Sequence, residues 1–253
     1  MRKQWVLGNW KMNGSRESNS HLISGLLAGL NAESSSGIGV CVPSVYLIEV
    51  GDKLAGSTVA LGAQTISEHD EGAYTGEISA KMAVDCGCSL VLVGHSERRS
   101  LYGETSEIVA KKFKQALSNE LTPVLCVGET LEQRESGITN EVIGEQLDAV
   151  IECCNSDELG RSIIAYEPVW AIGTGKTASA EQAQEVHAFI RNKLAQKSNA
   201  LAEKISILYG GSVKADNAKE IFSMSDIDGG LVGGASLGAE SFLAIYNSTD
   251  VIG

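Results

Sequence analysis

The chain has 253 residues, 43% of them hydrophobic and 21% charged, a composition typical of a soluble globular protein. Its formal net charge of −12 would repel a phosphate backbone, so nucleic acid is not expected as a partner, although a local pocket could still hold a small anion. The length suits either one large α/β barrel or two modest domains.

Eight short apolar runs recur along the chain and predict buried parallel strands. They cover residues 5–7, 38–42, 59–61, 90–93, 124–127, 163–165, 207–209 and 231–232. Between them, apolar residues at helical spacing predict amphipathic helices around 22–30, 108–117, 142–151 and 183–194. Thr130 with Gln133, and Ser179 with Gln182, fit the capping boxes that begin helices.

The repeated alternation of strand and helix predicts the fold class. About eight strand–helix units in a chain of this length favour a closed eight-stranded parallel (β/α)8 TIM barrel. A doubly wound open sheet is the alternative, but Gly8-Asn9-Trp10-Lys11 after the first strand is not its glycine fingerprint. Because no linker or low-complexity segment interrupts the alternation, we expect residues 1–253 to form a single domain.

The segment from residue 163 to residue 177 carries the strongest functional signal. Its strand ends in Glu167, and Pro168 then biases that residue away from helical geometry. The apolar residues and glycines that follow predict a loop over 168–178 that closes on a base and excludes water. Gly175-Lys176-Thr177 matches the last three positions of the phosphate-binding loop G-x-x-x-x-G-K-[ST]. Trp170 stands where the first glycine of that motif is required, so a nucleotide site is not expected.

Polar residues and glycines gather at the predicted carboxyl ends of the strands, where barrels place their active sites. These residues are Asn9, Lys11, Gln64, His95, Ser96, Glu97, Cys126, Glu129, Glu167, Gly210, Gly211, Ser212, Gly233 and Gly234. Glu167 can act as a base, His95 as a hydrogen-bond donor and Lys11 as a cation facing developing negative charge. The paired glycines would let backbone N–H groups approach a phosphate. Taken alone, Lys11 could be a solvated lysine, His95 a structural histidine and the paired glycines ordinary turns. Because all of these features are predicted at the same end of the barrel, a functional site is favoured.

Cysteines stand at 41, 86, 88, 126, 153 and 154, and histidines at 21, 69, 95 and 187. Neither set forms a zinc signature, and we expect no metal and reduced, mostly buried cysteines, as is typical of a cytoplasmic protein. Met1-Arg2-Lys3 could begin a signal peptide, but Asn9 and Lys11 interrupt the apolar stretch. No apolar run reaches membrane length, so no membrane partner is expected.

Five stretches, in order along the chain, resemble the triosephosphate isomerase family. They are Gly8-Asn9-Trp10-Lys11-Met12-Asn13-Gly14, Gly94-His95-Ser96-Glu97-Arg98-Arg99, the segment 165–175, Tyr209-Gly210-Gly211-Ser212-Val213 and the segment 231–237. The resemblance implies interconversion of dihydroxyacetone phosphate and D-glyceraldehyde 3-phosphate through an enediol(ate), without cofactor or metal, in glycolysis or gluconeogenesis. Thr65 and Gly230 depart from the family pattern, in which asparagine is frequent and alanine usual, respectively.

The resemblance also implies a role for each matching residue. By position, Glu167 moves the proton between carbons, and neutral His95 polarises the carbonyl and shuttles protons between oxygens, as established for the family. Lys11 offsets negative charge, Asn9 orients the oxygens, and Glu97 supports Lys11 and takes part in proton traffic. Backbone N–H groups of Gly173, Ser212, Gly233 and Gly234 hold the phosphate.

Residues 72–77 resemble the family's interdigitating loop, which implies a homodimer. In that dimer Thr75 reaches the partner's site near Asn9 and Lys11, and Gln64 also contacts the interface. Two other functions remain as alternatives. An idle barrel kept for binding would have lost its base, lysine or lid, whereas another sugar-phosphate isomerase could share the same scaffold.

Overall fold

Eight parallel strands close into a barrel in the computed structural model, which describes residues 2–31, 34–172 and 177–249. The strands follow chain order around the barrel, and the first pairs with the last, with Trp5 opposite Gly229. They are β1 (Trp5–Asn9), β2 (Gly37–Val42), β3 (Val59–Ala63), β4 (Leu90–Val93), β5 (Thr122–Val127), β6 (Ile163–Tyr166), β7 (Ser206–Tyr209) and β8 (Gly229–Val232). The predicted closed barrel is confirmed, and the doubly wound alternative is wrong.

Helices follow the strands. Those in the described residues are α1 (Arg16–Gly29), α2 (Leu47–Leu54), α3 (Ala80–Asp85), α4 (Ser96–Tyr102), α5 (Ser106–Ser118), α6 (Leu131–Glu135), α7 (Thr139–Ile151), α8 (Ser156–Leu159), α9 (Ala180–Lys197), α10 (Asn199–Lys204), α11 (Ala218–Phe222) and α12 (Ala239–Asn247). Short 3-10 turns cover Ser44–Tyr46, Val169–Ala171 and Gly234–Leu237. The four predicted helical stripes lie in α1, α5, α7 and α9, and both predicted capping boxes are present.

Side chains of the strands alternate between two buried layers, as the twofold period of a strand requires. The outer layer packs against the helices; Val91 and Val93 of β4, for example, share it with Val109 and Phe113 of α5. The inner layer contains strand residues alone and fills the barrel, with Leu7, Cys41, Leu90, Leu92, Val124, Cys126, Ile163, Ala165, Leu208 and Leu231. Because the interior is packed, a substrate can bind only at an end of the barrel.

Strand ends are where the apolar pattern and the structure differ. β1 continues to Asn9, whose polar side chain interrupts the apolar signal, and β8 begins two residues early, at Gly229. Gly229 has a φ of 116°, and a Cβ there would collide with the Trp5 backbone. The close approach of β1 and β8 therefore requires glycine at this position.

At Gly230, the space beside the strand is taken by Phe222. A Cβ at 230 would lie 3.0 Å from Phe222 Cζ, and that ring is only 1% exposed, so it cannot swing into solvent. Overpacking of this kind outweighs the small entropic gain from replacing glycine. We expect Gly230→Ala to lower the free energy of unfolding by about 1 kcal/mol, measured by denaturant titration at fixed protein concentration.

A double mutant provides the control for Gly230→Ala. Phe222→Leu alone should be destabilising because it leaves a cavity. Combined with Gly230→Ala, it should cost less than the sum of the two single changes, because the added methyl occupies space that the ring vacates. Unchanged or raised stability in Gly230→Ala would show that the ring does not limit this position.

Candidate active site

A cavity of about 390 Å³ opens at the carboxyl ends of the strands. Nine residues predicted for this end of the barrel line it together: Asn9, Lys11, His95, Glu167, Gly210, Gly211, Ser212, Gly233 and Gly234. Glu97 and Gln64 contact Lys11 beside the cavity, whereas Thr75 lies in the exposed segment 71–77. Gly173, predicted to bind phosphate, lies outside the described residues, as does the 173–176 part of the predicted lid.

The Glu167 carboxylate is buried at the end of β6, with the residue only 1% exposed. A Cβ on Gly128 would collide with the Glu167 carbonyl, so glycine there lets the two strand ends meet. The carboxylate accepts a hydrogen bond from the Ser96 N–H at 2.9 Å and contacts His95 Nε2 at 2.8 Å. Burial opposes its ionisation, but His95, the Ser96 N–H and Lys11 together hold the pKa of Glu167 below its ordinary value.

His95 caps the amino end of α4, directly after Gly94, whose φ is 72°. The Glu97 N–H donates to Nδ1 at 3.2 Å, which requires a lone pair on that nitrogen. This hydrogen bond assigns the proton of the neutral ring to Nε2, where it faces Glu167. Burial lowers the pKa of the imidazole, but the adjacent Glu167 carboxylate outweighs that effect and raises it.

Lys11 adopts a left-handed backbone conformation with a φ of 53°, which is uncommon for a residue other than glycine. Its N–H donates to Asn9 Oδ1 at 3.0 Å, and its carbonyl accepts from Gln64 Nε2 at 2.9 Å. Gln64 also donates to the Cys41 carbonyl at 3.2 Å, which links the ends of β1, β2 and β3. The Lys11 Nζ lies 2.5 Å from Glu97 Oε1, so both backbone and ammonium are held at the rim.

The glycines after β7 and β8 leave bare backbone along the wall of the cavity. A Cβ on Gly211 would collide with the Tyr209 hydroxyl, so that position requires glycine. Gly234 opens onto free space, while a Cβ on Gly233 would lie 3.7 Å from Lys11 Cε. Backbone without side chains thus lies next to a cation, an arrangement suited to an anionic group.

Glu129 organises the start of the predicted lid, a role that the sequence did not reveal. This fully buried carboxylate accepts from Trp170 Nε1 at 3.0 Å, Tyr166 Oη at 3.1 Å and Arg134 Nη1 at 3.2 Å. The sequence predicted only that Glu129 lies at the carboxyl end of the fifth strand. Its partners, up to 41 residues away, left no local pattern to find. Lys214, another cation lining the cavity, was also missed, although it follows Ser212 by two residues.

Two negative findings apply to residues 2–31, 34–172 and 177–249. No group of three or more histidine, cysteine, aspartate or glutamate side chains there is arranged to hold a metal ion. In the same ranges, every helix is too short or too polar to cross a membrane.

Comparison with known proteins gives one family. The family model described as triosephosphate isomerase matches residues 4–249. A triosephosphate isomerase from Nitrosomonas europaea is 55% identical over 244 residues, which are 96% of this chain and 97% of the relative. One from Thiobacillus denitrificans is 57% identical over 245 residues, covering 97% and 98%. One from Methylococcus capsulatus is 52% identical over 251 residues, covering 99% and 100%. The chain therefore belongs to the triosephosphate isomerase family.

Proposed function

We propose that this chain interconverts dihydroxyacetone phosphate and D-glyceraldehyde 3-phosphate by proton transfer through an enediol(ate) intermediate. The observation that carries the proposal is that a buried carboxylate, an imidazole N–H and an ammonium group share one cavity rim, at Glu167, His95 and Lys11. Family membership supports the same reaction. The isomerisation is redox-neutral within a single substrate, so it needs no external oxidant or reductant, and we propose that it uses no cofactor or metal, as in the family.

Glu167 is the base in this proposal. Its carboxylate removes the proton from one substrate carbon and returns it to the neighbouring carbon. Since Glu167 Oε1 contacts His95 Nε2 at 2.8 Å, a substrate oxygen has to take the carboxylate's place on the imidazole before reaction. Separation from His95 removes one of the groups that lower the pKa of Glu167, so the carboxylate becomes a stronger base when substrate binds.

The other polar groups stabilise charge on the substrate oxygens. His95 donates from Nε2 to the carbonyl and carries protons between the two oxygens, a role suited to the neutral ring that the Glu97 N–H favours. Lys11 offsets the negative charge of phosphate and enediolate, and Asn9 orients the oxygens. Glu97 holds the ammonium through its 2.5 Å ion pair and has a second place in the proton traffic beside His95.

The phosphate binds on the glycine side of the cavity in this proposal, held by backbone N–H groups of Gly173, Ser212, Gly233 and Gly234. Residues 168–178 close over it as a lid and exclude water, as the family's loop does. Glu129 supports this assignment because it anchors Trp170, near the start of the segment, to the barrel.

We also propose that two chains form a homodimer. The segment 71–77 is exposed along its whole length, and its Tyr74 side chain is 43% exposed; Met12, which follows Lys11, is 95% exposed. These apolar side chains are available for burial against a partner. In the dimer, Thr75 would approach the partner's site near Asn9 and Lys11, with Gln64 at the same interface.

Thr75→Arg tests the dimer. An arginine forced into a packed interface is expected to weaken association by about 2 kcal/mol or more, roughly a 30-fold increase in Kd. Sedimentation velocity over a concentration series measures the effect. Ser118→Arg, an exposed position at the end of α5, is the control and should associate like wild type. A wild-type protein that sediments as a monomer at every concentration would contradict the proposal.

The proposed setting follows from the substrates and the cysteines. Triose phosphates place the reaction in glycolysis or gluconeogenesis. A cytoplasmic location is supported by six free cysteines, four of which are buried. Residues 1–253 are proposed to form one domain around the barrel.

Turnover by the purified chain distinguishes this function from its alternatives. We expect D-glyceraldehyde 3-phosphate to be converted to dihydroxyacetone phosphate, and ribose 5-phosphate to be left unchanged. Folded protein that converts neither compound would support the idle barrel instead. Conversion of the pentose phosphate alone would support another sugar-phosphate isomerase.

A further inference from the structure

Two adjacent thiols form a pair that the proposed function does not use. Cys153 and Cys154 follow the end of α7, and their Sγ atoms lie 3.6 Å apart. Cys153 is the exposed one of the six cysteines and donates from its thiol to the Val150 carbonyl at 3.3 Å. Cys154 is buried, at 5% exposure, so the pair has one accessible sulfur and one sheltered sulfur.

The pair lies at the opposite end of the barrel from the candidate active site. α7 follows β5 and leads back to the start of β6, so the turn containing Cys153 and Cys154 belongs to the amino-terminal end of the strands. The cavity with Glu167 opens at the carboxyl-terminal end. A ligand on these thiols would therefore leave the catalytic groups untouched.

A direct disulfide fits the pair poorly. Adjacent residues joined by a trans peptide have Cα atoms about 3.8 Å apart, below the range of about 4.4–6.8 Å usual for disulfides. Closing the 3.6 Å separation between sulfurs to a bond of about 2.05 Å would strain the turn. An atom inserted between the sulfurs would leave them close to their present separation.

The number of protein side chains available as ligands limits which atom can bridge the two sulfurs. Two sulfurs on a tetrahedral zinc, with bonds of about 2.3 Å, lie roughly 3.8 Å apart, but zinc needs two further protein ligands in a structural site. Within the described ranges no third metal-binding side chain joins the pair. A soft, trivalent centre that already carries one organic group needs only two thiolates.

We propose that Cys153 and Cys154 form a binding site for mono-organyl trivalent arsenicals, R–As(OH)2. Two As–S bonds form and two As–O bonds break. Each thiol proton leaves with a hydroxyl group, so two water molecules are released and arsenic stays trivalent. Exposed Cys153 reacts first, and Cys154 then closes the ring within the same molecule.

Nearby groups fit this order of reaction. Burial and the neighbouring Cys153 raise the pKa of the Cys154 thiol to about 12, and the Lys114 ammonium opposes that rise. Burial, the largest cause of this rise, persists after Cys153 has reacted, so Cys154 is still protonated and its proton is taken by the remaining arsenic-bound hydroxyl. Lys114 is itself held in place by Glu158, with 2.8 Å between Nζ and Oε1.

Titration of the full-length protein with phenylarsine oxide tests the site. We expect one equivalent per chain to remove two free thiols and to be released by 2,3-dimercaptopropanol. Because chelation makes the second bond intramolecular, Cys153→Ser and Cys154→Ser should each weaken binding by about 10²- to 10⁴-fold. Cys86→Ser, at a partly buried cysteine elsewhere, is the control and should bind like wild type.

Two further measurements keep the result unambiguous. Cys154→Ala serves as a second variant should serine disturb the buried position, and circular dichroism checks the fold of each protein. Isomerase turnover should be unchanged by one equivalent of the arsenical, because the site is remote from Glu167. Binding by either single-cysteine variant as tight as wild type, or an adduct mapped to another cysteine, would overturn the proposal. Failure of the isomerase assay would leave this test intact.

Discussion

Glu167→Gln is expected to lower kcat by about 10²- to 10⁴-fold, the contribution typical of a positioned general base. The amide has the size of the carboxylate but cannot accept a proton from carbon. Glu167→Asp keeps the charge and withdraws it by one bond, and a misplacement of about 1 Å can reduce the rate by about 10²-fold. KM should change little in both variants, since neither removes a phosphate contact. Steady-state kinetics in both directions measure these effects.

Glu132→Gln is the matched control for Glu167→Gln. It makes the same chemical change at an exposed position of α6, outside the residues that line the cavity. It should retain wild-type kcat. A Glu167→Asp enzyme as fast as wild type would mean that another group removes the proton.

Lys11→Met is expected to lower kcat/KM by about 10³-fold. Two opposite charges about 4 Å apart near a protein surface attract by about 4 kcal/mol, and each 1.36 kcal/mol corresponds to a factor of ten. Because Lys11 faces both the phosphate and the developing enediolate, we expect KM to rise and kcat to fall together. Methionine keeps most of the side-chain volume, so the loss reports on charge.

The control for Lys11→Met is Lys204→Met, which removes an exposed charge at the end of α10. It should have wild-type kinetics. Lys11→Arg is a second comparison, since it keeps the charge while enlarging the head group beside Gly233; it should fall between wild type and Lys11→Met. Unchanged kinetics in Lys11→Met would contradict a role for its charge in binding or catalysis.

The apolar pattern predicted the barrel because burial on both faces makes each parallel strand a short hydrophobic run. The same rule underestimated strands at polar and glycine positions, such as Asn9 and Gly229, which contribute no hydrophobic signal. Strand ends also predicted which groups meet at the rim, since the carboxyl ends of a parallel barrel converge.

Contacts between distant strand ends could not be predicted in the same way. The place of Gln64 at a dimer interface stays a prediction. Within its own chain, its amide donates to the carbonyl of Lys11, whose backbone is left-handed, and no sequence pattern predicts that contact. No sequence pattern predicts a positive φ at a lysine. Convergence of Glu167 and His95 was predicted, but their direct 2.8 Å contact depends on how β6 and α4 pack.

Glu167 is proposed to transfer a proton that it can exchange with solvent. Conversion of D-glyceraldehyde 3-phosphate in D2O tests this most directly, with product analysed by NMR. We expect deuterium on the dihydroxyacetone phosphate carbon that was the aldehyde, and neither product nor label with Glu167→Ala on the wild-type timescale. Product that forms rapidly without any deuterium in the wild-type reaction would contradict an exchangeable proton, and rapid product from Glu167→Ala would contradict Glu167 as the base.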